Sequence, residues 1–255
     1  SVTKGAGGSL RGGSLPIAQA IKESLKVPCI AHFTCRDLLP SEVENQLMDH
    51  HYFGITNVLG LRGDPPTGVA DSEAAVRPGA HHFAYQLIEQ ISALNRGQYL
   101  DRSGDAERGR VPALGPGATD FCIGAAAYPE HPDFAEGVRY FDRKVQAGAE
   151  YGITQMVFDA EVWARFRDAT RVPTVPILPG IRIVKSAAQA LRVAERFGVR
   201  VPDTWLQSLD QSPTDYLDPF CRFVKRLREL GAPGVHVFVM SDTASAVEAF
   251  GRLRA

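Results

Sequence analysis

Chemistry is most concentrated in this chain at Leu61-Arg62-Gly63-Asp64-Pro65-Pro66, directly behind the apolar run Ile55-Thr56-Asn57-Val58-Leu59-Gly60. An apolar segment that stops at Arg-Gly-Asp-Pro-Pro reads as a buried strand ending in a charged loop. Proline cannot continue the ladder, and glycine lets the backbone approach a ligand closely. A carboxylate and a guanidinium fixed at a strand's carboxyl end suggest a site rather than a surface. Read alone, the same residues also describe a solvated turn with a local ion pair.

Other residues invite the same question. His32 ends the apolar run Cys29-Ile30-Ala31, as a functional histidine or as one satisfied within the core. Tyr128 follows the small residues Ala125-Ala126-Ala127, which would let a flat ligand lie close to a sheet. Arg143-Lys144 closes a helical stretch where two cations could meet phosphates, or simply be solvated. Gln155 is an amide inside an apolar strand, so it must be hydrogen-bonded to backbone or ligand. His50-His51 and His81-His82 read as helix-surface residues, because neighbours on a helix point roughly 100° apart and cannot easily share one ion. The glycines of residues 5–13 fit no phosphate-binding fingerprint.

Stepping from these residues to what must hold them, short apolar runs alternate with amphipathic stretches. The strand candidates are Val27–Phe33, Ile55–Leu61, Phe121–Ala127, Tyr151–Phe158, Thr174–Leu178 and Val235–Met240, with Ser1-Val2-Thr3 as the tail of another. Their near-continuous apolar character fits parallel strands covered on both faces. A capping box at Ser41-Glu42-Val43-Glu44 opens a helix through about Phe53. Further helices fall near 16–26, 80–95, 134–145, 160–169, 186–198, 216–230 and 243–253, with a start signal for the helix near 216–230 at Ser212-Pro213-Thr214-Asp215. Repeated βα units imply right-handed crossovers and a parallel sheet. Polar residues at the carboxyl ends of many strands favour a (β/α)8 barrel over an open sheet, whose site concentrates at one crevice. The expectation is an α/β protein, a single barrel domain over residues 1–255, with a long flexible loop at about 97–120. Counting the stub, seven strands are visible, and an eighth is not among these residues.

The composition limits the partners. With 28 basic and 29 acidic residues in 255, the chain carries no electrostatic footprint for nucleic acid. No apolar run approaches a membrane span. Cys29, Cys35, Cys122 and Cys221 form no C-x-x-C pair and read as thiols in a reducing cytoplasm rather than a disulfide or zinc framework.

Taken in order, His32-Phe33-Thr34-Cys35, Leu61-Arg62-Gly63-Asp64-Pro65-Pro66, Ala127-Tyr128-Pro129-Glu130-His131-Pro132, Arg143-Lys144-Val145-Gln146-Ala147-Gly148-Ala149, Ile153-Thr154-Gln155-Met156-Val157-Phe158-Asp159 and Pro176-Ile177-Leu178-Pro179-Gly180-Ile181 resemble the methylenetetrahydrofolate reductase family, in its bacterial, FAD-dependent form. The resemblance runs from that family's second barrel strand to its last. It implies a (β/α)8 barrel with FAD at the strand tips, reduced by NADH or NADPH, which then passes hydride to methylenetetrahydrofolate. It further implies small-molecule substrates and a homo-oligomer. By the same resemblance Thr3, Ala6, His32, Arg62, Gly63, Asp64, Ala84, Tyr128, His131, Arg143 and Lys144 line the flavin site. Asp64, Gln155 and Gln189 contact folate, with Gln155 and Gln189 shared with nicotinamide. A fixed carboxylate such as Asp64 suits the chemistry, because the methylene bridge must open to an iminium cation before it accepts hydride.

The family's first strand, with its Ser-Phe-Glu-Phe-Phe-Pro-Pro signature and the glutamate thought to protonate the folate, has no counterpart among these residues, and the chain departs from the family pattern at four further positions. Lys4 stands where an aromatic residue packs on the flavin, Gly137 near an acid that grips the cofactor, and Val193 at a phenylalanine that packs on ligands. Asp242, in Val239-Met240-Ser241-Asp242, replaces an arginine that contacts folate. Two alternatives therefore stand beside the flavin reductase. One is a reductase passing hydride directly from NAD(P)H to a tetrahydropterin without flavin. The other is a non-catalytic flavin- or folate-binding partner subunit.

Overall fold

A computed structural model describes residues 1–4, 13–65, 68–70, 75–101, 117–171, 175–211 and 215–254. Ala6, most of the 97–120 connection and the start signal at Ser212-Pro213-Thr214 lie outside the described residues. The chain forms two compact units, one of Ser1–Ala125 with Arg143–Glu150, the other of Ala126–Asp142 with Tyr151–Ala255.

Unit one carries α1 (Ser14–Leu25), β1 (Ile30–Thr34), α2 (Pro40–Tyr52), β2 (Asn57–Leu61), α3 (Ala84–Asn95) and the start of β3 (Cys122–Ala127). β1 pairs with β2 in parallel from Ile30↔Asn57 to Thr34↔Leu61, and β2 with β3 from Asn57↔Cys122 to Gly60↔Ala125. The expected stub is present as a parallel bridge of Val2 to Ala31, with Val2 N–H donating to Ile30 O at 2.8 Å. Ala31, His32 and Phe33 are consecutive and all buried, as a strand covered on both faces requires.

Two expectations are corrected here. α2 is capped by Glu42 rather than by a Ser41–Glu44 box: the Glu42 carboxylate accepts the Leu39 N–H at 2.7 Å. Pro40 sets the start, because its missing N–H is one the first turn leaves unused anyway. Glu44 instead turns inward and accepts the Leu100 N–H at 2.8 Å. His50 is no surface residue either; it is buried, 2.6 Å from Gln46 O through Nδ1 and edge-on to the Phe33 ring. Burial pushes its pKa down, which keeps the imidazole neutral. His81 lies ahead of α3 rather than on it and bonds Gln90 Oε1 at 2.7 Å. Among the described residues no cluster of ligands could hold a metal ion.

Unit two carries the end of β3 and most of α4 (Phe134–Gln146), then β4 (Tyr151–Met156), α5 (Ala160–Ala169), β5 (Ile177–Ile181), α6 (Ala187–Phe197), α7 (Asp203–Gln211), α8 (Leu217–Glu229), β6 (His236–Val237) and α9 (Thr243–Arg254). Its core is aromatic, with Trp205 edge-on to both Phe158 and Phe223 at 5.3 and 5.5 Å between ring centres. Each such ring buried stabilises the unit by roughly 1.5–3 kcal/mol. Trp163 is fully buried and its indole N–H donates to Ile177 O at 3.2 Å, which ties α5 to β5. α7 is the element not anticipated from sequence; it is short, and Trp205 and Leu209, four residues apart, are its buried contacts. β6 is two residues rather than the six expected.

The chain is thus an α/β protein in which, among the described residues, six strands alternate with helices and run parallel to their partners within each unit. Its four cysteines are free thiols. No described helix is long and apolar enough to cross a membrane.

Candidate functional site

At the tips of β1 and β2 the backbone itself builds the loop that the sequence singles out. Cys35 N–H donates to Leu61 O at 3.3 Å and Arg36 N–H to Arg62 O at 2.9 Å, so the pairing continues past the strands. Arg36, overlooked in the sequence, is 1% exposed and donates through Nε to Gly63 O at 3.1 Å. Gly63 adopts φ 97°, where a side chain would be strained and would meet Thr34 Cβ at 3.3 Å. The result presents Arg62 half-buried and Asp64 exposed on a braced turn. His32 is buried on β1 behind it. The Cys35 thiol is pushed up to about 12 by burial, which makes it inert.

α4 ends with two cations in different settings. Arg143 is exposed, its guanidinium 5.9 Å from the centre of the Tyr85 ring. Lys144 is buried, and burial followed by the Arg62 charge lowers its pKa to about 8. A cation held down by a second cation gains from an anion placed beside both, and so the pair suits a phosphate or pyrophosphate group. Ala84 is buried at the start of α3, a small side chain where little protrudes. Thr3 is exposed just beyond the Val2 bridge. Lys4 lies 4.4 Å over the Phe33 ring and donates to Gln46 Oε1 at 2.8 Å, so its cation is committed within unit one.

In unit two a β-bulge shapes the site. β4 and β5 pair at Gly152↔Ile177, Ile153↔Leu178 and Met156↔Gly180, with the register shifting between Ile153 and Met156. Thr154 and Gln155 therefore oppose the single residue Pro179, whose missing N–H costs nothing where the ladder is interrupted. The Thr154 hydroxyl replaces the lost rung: it accepts the Gly180 N–H at 2.8 Å and donates to Gln155 O at 2.7 Å. Gln155 clasps the bulge further, its Oε1 accepting the Met156 N–H at 2.9 Å. Only glycine fits at 180, since a Cβ there would stand 2.2 Å from Thr154 O. Pro179-Gly180 therefore lies inside a strand that the sequence places three residues earlier.

The bulge delivers Gln155 to a cavity of about 280 Å³ that Tyr128, Glu130, His131, Met156 and Phe197 also line. Three of the expected site residues, Tyr128, His131 and Gln155, thus share one cavity. Tyr128 O accepts the His131 N–H at 3.1 Å, which closes the turn, and His131 Nδ1 lies 2.7 Å from Asp133 O. Gly137 on α4 backs this turn, because a Cβ there would press to 2.8 Å from His131 Cβ. Glu130, one of the polar residues that follow the strand ends, accepts the Arg200 N–H with both carboxylate oxygens at 3.2 Å. Burial, with the Asp159 charge adding to it, raises its pKa.

Gln189 does not line this cavity; its Oε1 caps α6 by accepting the Lys185 N–H at 2.7 Å. Val193 is buried in the core of unit two. Asp242 pairs with Lys185 at 2.8 Å and its carboxylate accepts the Ser245 N–H at 3.3 Å, so the acid is an ion-pair partner and a helix cap.

Parallel βα units with polar groups at the carboxyl ends of the strands define a protein of the α/β class. The sequence model of the methylenetetrahydrofolate reductase family matches residues 1–253, and the chain belongs to that family. It is 31% identical over 216 residues to the Escherichia coli 5,10-methylenetetrahydrofolate reductase, covering 82% of this chain and 62% of that protein. It is 29% identical over 231 residues to methylenetetrahydrofolate reductase 2 of Schizosaccharomyces pombe, with 84% and 32% covered. Against methylenetetrahydrofolate reductase (NADH) 1 of Zea mays it is 30% identical over 268 residues, with 96% and 41% covered. The chain thus spans between a third and three fifths of the length of these relatives.

Proposed function

We propose that this chain reduces methylenetetrahydrofolate to methyltetrahydrofolate with hydride from NADH or NADPH through bound FAD. The reading extends to one (β/α)8 domain and a cytoplasmic homo-oligomer that acts on small molecules. The observation that carries it is the cavity shared by Tyr128, His131 and Gln155, in a chain whose family is defined by this reaction.

FAD, when bound, would carry the hydride; the chain's own residues do the rest. Arg62 and Lys144 supply cations for the anionic part of the cofactor, and the Arg36 brace fixes where Arg62 and Asp64 stand. Thr3, Ala6, His32, Gly63, Ala84 and Arg143 complete the cofactor contacts. Tyr128 offers a ring and a hydroxyl to a flat ligand, with His131 fixed beside it by its own turn. Gln155, its Oε1 already committed, turns its NH2 group to substrate, and Gln189 contacts the nicotinamide or folate. Asp64 stabilises the cation that forms as the folate ring opens.

The test is direct. Purified protein should show a flavin absorption band and should oxidise NAD(P)H with methylenetetrahydrofolate as acceptor. Protein with neither band nor turnover removes the proposal. A second reading, direct hydride transfer without flavin, is favoured by Lys4, which fills the place beside Phe33, and by Gly137, where His131 leaves no room for a gripping acid. Turnover of the folate by flavin-free protein would establish it.

A further inference from the structure

At the amino-terminal ends of β1 and β2, away from the Arg62–Asp64 loop, unit one holds a cavity of about 520 Å³ that no role given above uses. Its lining joins the last turn of α1 to the approaches to both strands, with Lys22 and Lys26 from the helix, Val27 and Cys29 ahead of β1, and Ile55 and Asn57 at β2. The part beside the strands is apolar, and Cys29 and Ile55 are buried there. The part beside the helix is charged. Lys22 Nζ donates to Gly54 O at 2.6 Å, which holds the ammonium at the wall and keeps two of its three N–H donors for a ligand. Lys26 closes α1 at φ 54°, and its backbone N–H donates to Lys22 O at 3.0 Å. That left-handed position favours glycine, and Lys26 is one of two non-glycine residues at positive φ among the described residues. A lysine kept where glycine would be easier argues that its side chain has a use there. The one acid of the lining, Glu23, accepts from Gln19 Nε2.

We propose that this cavity is a binding site for a monoanion with an apolar body, an aryl or alkyl carboxylate being the simplest case. Two ammonium groups against one carboxylate leave the lining with one net positive charge, which a single anionic group balances. The anion meets Lys22 and Lys26, which lie four residues apart on one helical face, and its hydrocarbon covers Val27, Cys29 and Ile55. A dianion fits less well, because Glu23 opposes its second charge. The volume lies within the range of small-molecule sites, about 300–1,000 Å³. The site sits at the opposite end of β1 and β2 from Arg62 and Asp64, and it stands independently of the folate reading.

The probe is 2-naphthoate, titrated into the purified protein and followed by calorimetry. Its dissociation constant should be about 1 mM or lower, the least expected of a ligand this small in a formed site. 2-Naphthamide, which keeps the rings and discards the charge, should bind about tenfold more weakly. Lys22→Met combined with Lys26→Met keeps both aliphatic stems and should weaken the acid about tenfold while leaving the amide unchanged. Lys26→Gly should raise the unfolding midpoint by about two degrees and yet weaken the acid about threefold. Arg62→Ala should bind the acid as the wild type does. Wild-type protein that fails to bind the acid overturns the proposal. Equal binding of acid and amide overturns it as well, since apolar contact alone then accounts for the probe. Binding that is lost in Arg62→Ala and kept in the double lysine variant puts the acid at the strand tips instead, and the assignment falls.

Discussion

At the tips of β1 and β2 a buried cation serves the backbone: Arg36 donates to Gly63 O, and the loop it braces presents Arg62 and Asp64. At β4 and β5 the same bracing is done by uncharged groups, Thr154 Oγ1 and Gln155 Oε1, and the loop nearby presents Glu130, Tyr128 and His131. The difference teaches how each unit sets its electrostatics. Unit one gathers positive charge, with Lys144 losing its proton more easily because of burial and Arg62. In unit two burial, with the Asp159 charge adding to it and Arg200 opposing it, makes Glu130 hold its proton more tightly. The first arrangement suits anion binding, and the second favours a protonated carboxyl.

Backbone geometry gives the sharpest contrast. Gly180→Ala in unit two would place a Cβ 2.2 Å from Thr154 O and 2.7 Å from the Phe238 ring, and a strand carbonyl cannot step aside. Its cost should be about 3 kcal/mol or more in chemical denaturation. Gly60→Ala in unit one meets Ile88 Cγ1 at 3.0 Å, a side-chain carbon that can yield, and should cost about 1 kcal/mol. Equal costs would mean the bulge is no more demanding than an ordinary parallel rung.

The charge contrast is tested by pH. Lys144 has a folded pKa of about 8 against 10.5 for the free side chain. Below pH 8 both states hold the proton and the burial cost is fully felt. Between about 8 and 10.5 the unfolded chain binds the proton that the folded chain has released, so stability rises with pH. Relative to Lys144→Met, the wild type should gain up to about 3 kcal/mol across that window, at most about 1.4 kcal/mol per pH unit. A flat difference would show that the buried amine is fully solvated by water or by its neighbours. Thr154→Val removes one hydroxyl that both accepts and donates, and should cost about 2 kcal/mol, because the Gly180 N–H is left buried without an acceptor. Substrate affinity should fall in parallel, since Gln155 is positioned by the same bulge.

What could be read in the sequence follows this division. The Arg62-Gly63-Asp64 turn was legible because its cause is local: an apolar run, a glycine at positive φ and prolines behind it. Gln155 was legible as an amide needing a partner, though not as one bonded to the next residue's N–H. Pro179-Gly180 looked like a break and proved to be strand interior, because its licence comes from Thr154 on the neighbouring strand. Arg36 escapes the sequence for the same reason; it acquires its role from Gly63 O, a backbone group that the sequence does not place beside it. The motif at Ser41 points to a cap for α2, yet Pro40 sets the start one residue earlier.

The smallest effect is expected where the chain departs most visibly from its family pattern. Asp242 introduces an acid directly before α9, and Lys185 meets it at 2.8 Å with both side chains partly in water. Screening leaves such a pair little net strength, so Lys185→Ala should move the unfolding midpoint by no more than about one degree. Asp242→Ala should cost more, about 1 kcal/mol, because it also removes the acceptor for the Ser245 N–H at the start of α9. Asp242→Asn, which keeps that acceptor and discards the charge, should therefore resemble Lys185→Ala rather than Asp242→Ala. If the asparagine variant is instead as unstable as the alanine one, the charge itself is the stabilising element. The cationic character of unit one would then have an ionic counterpart in unit two.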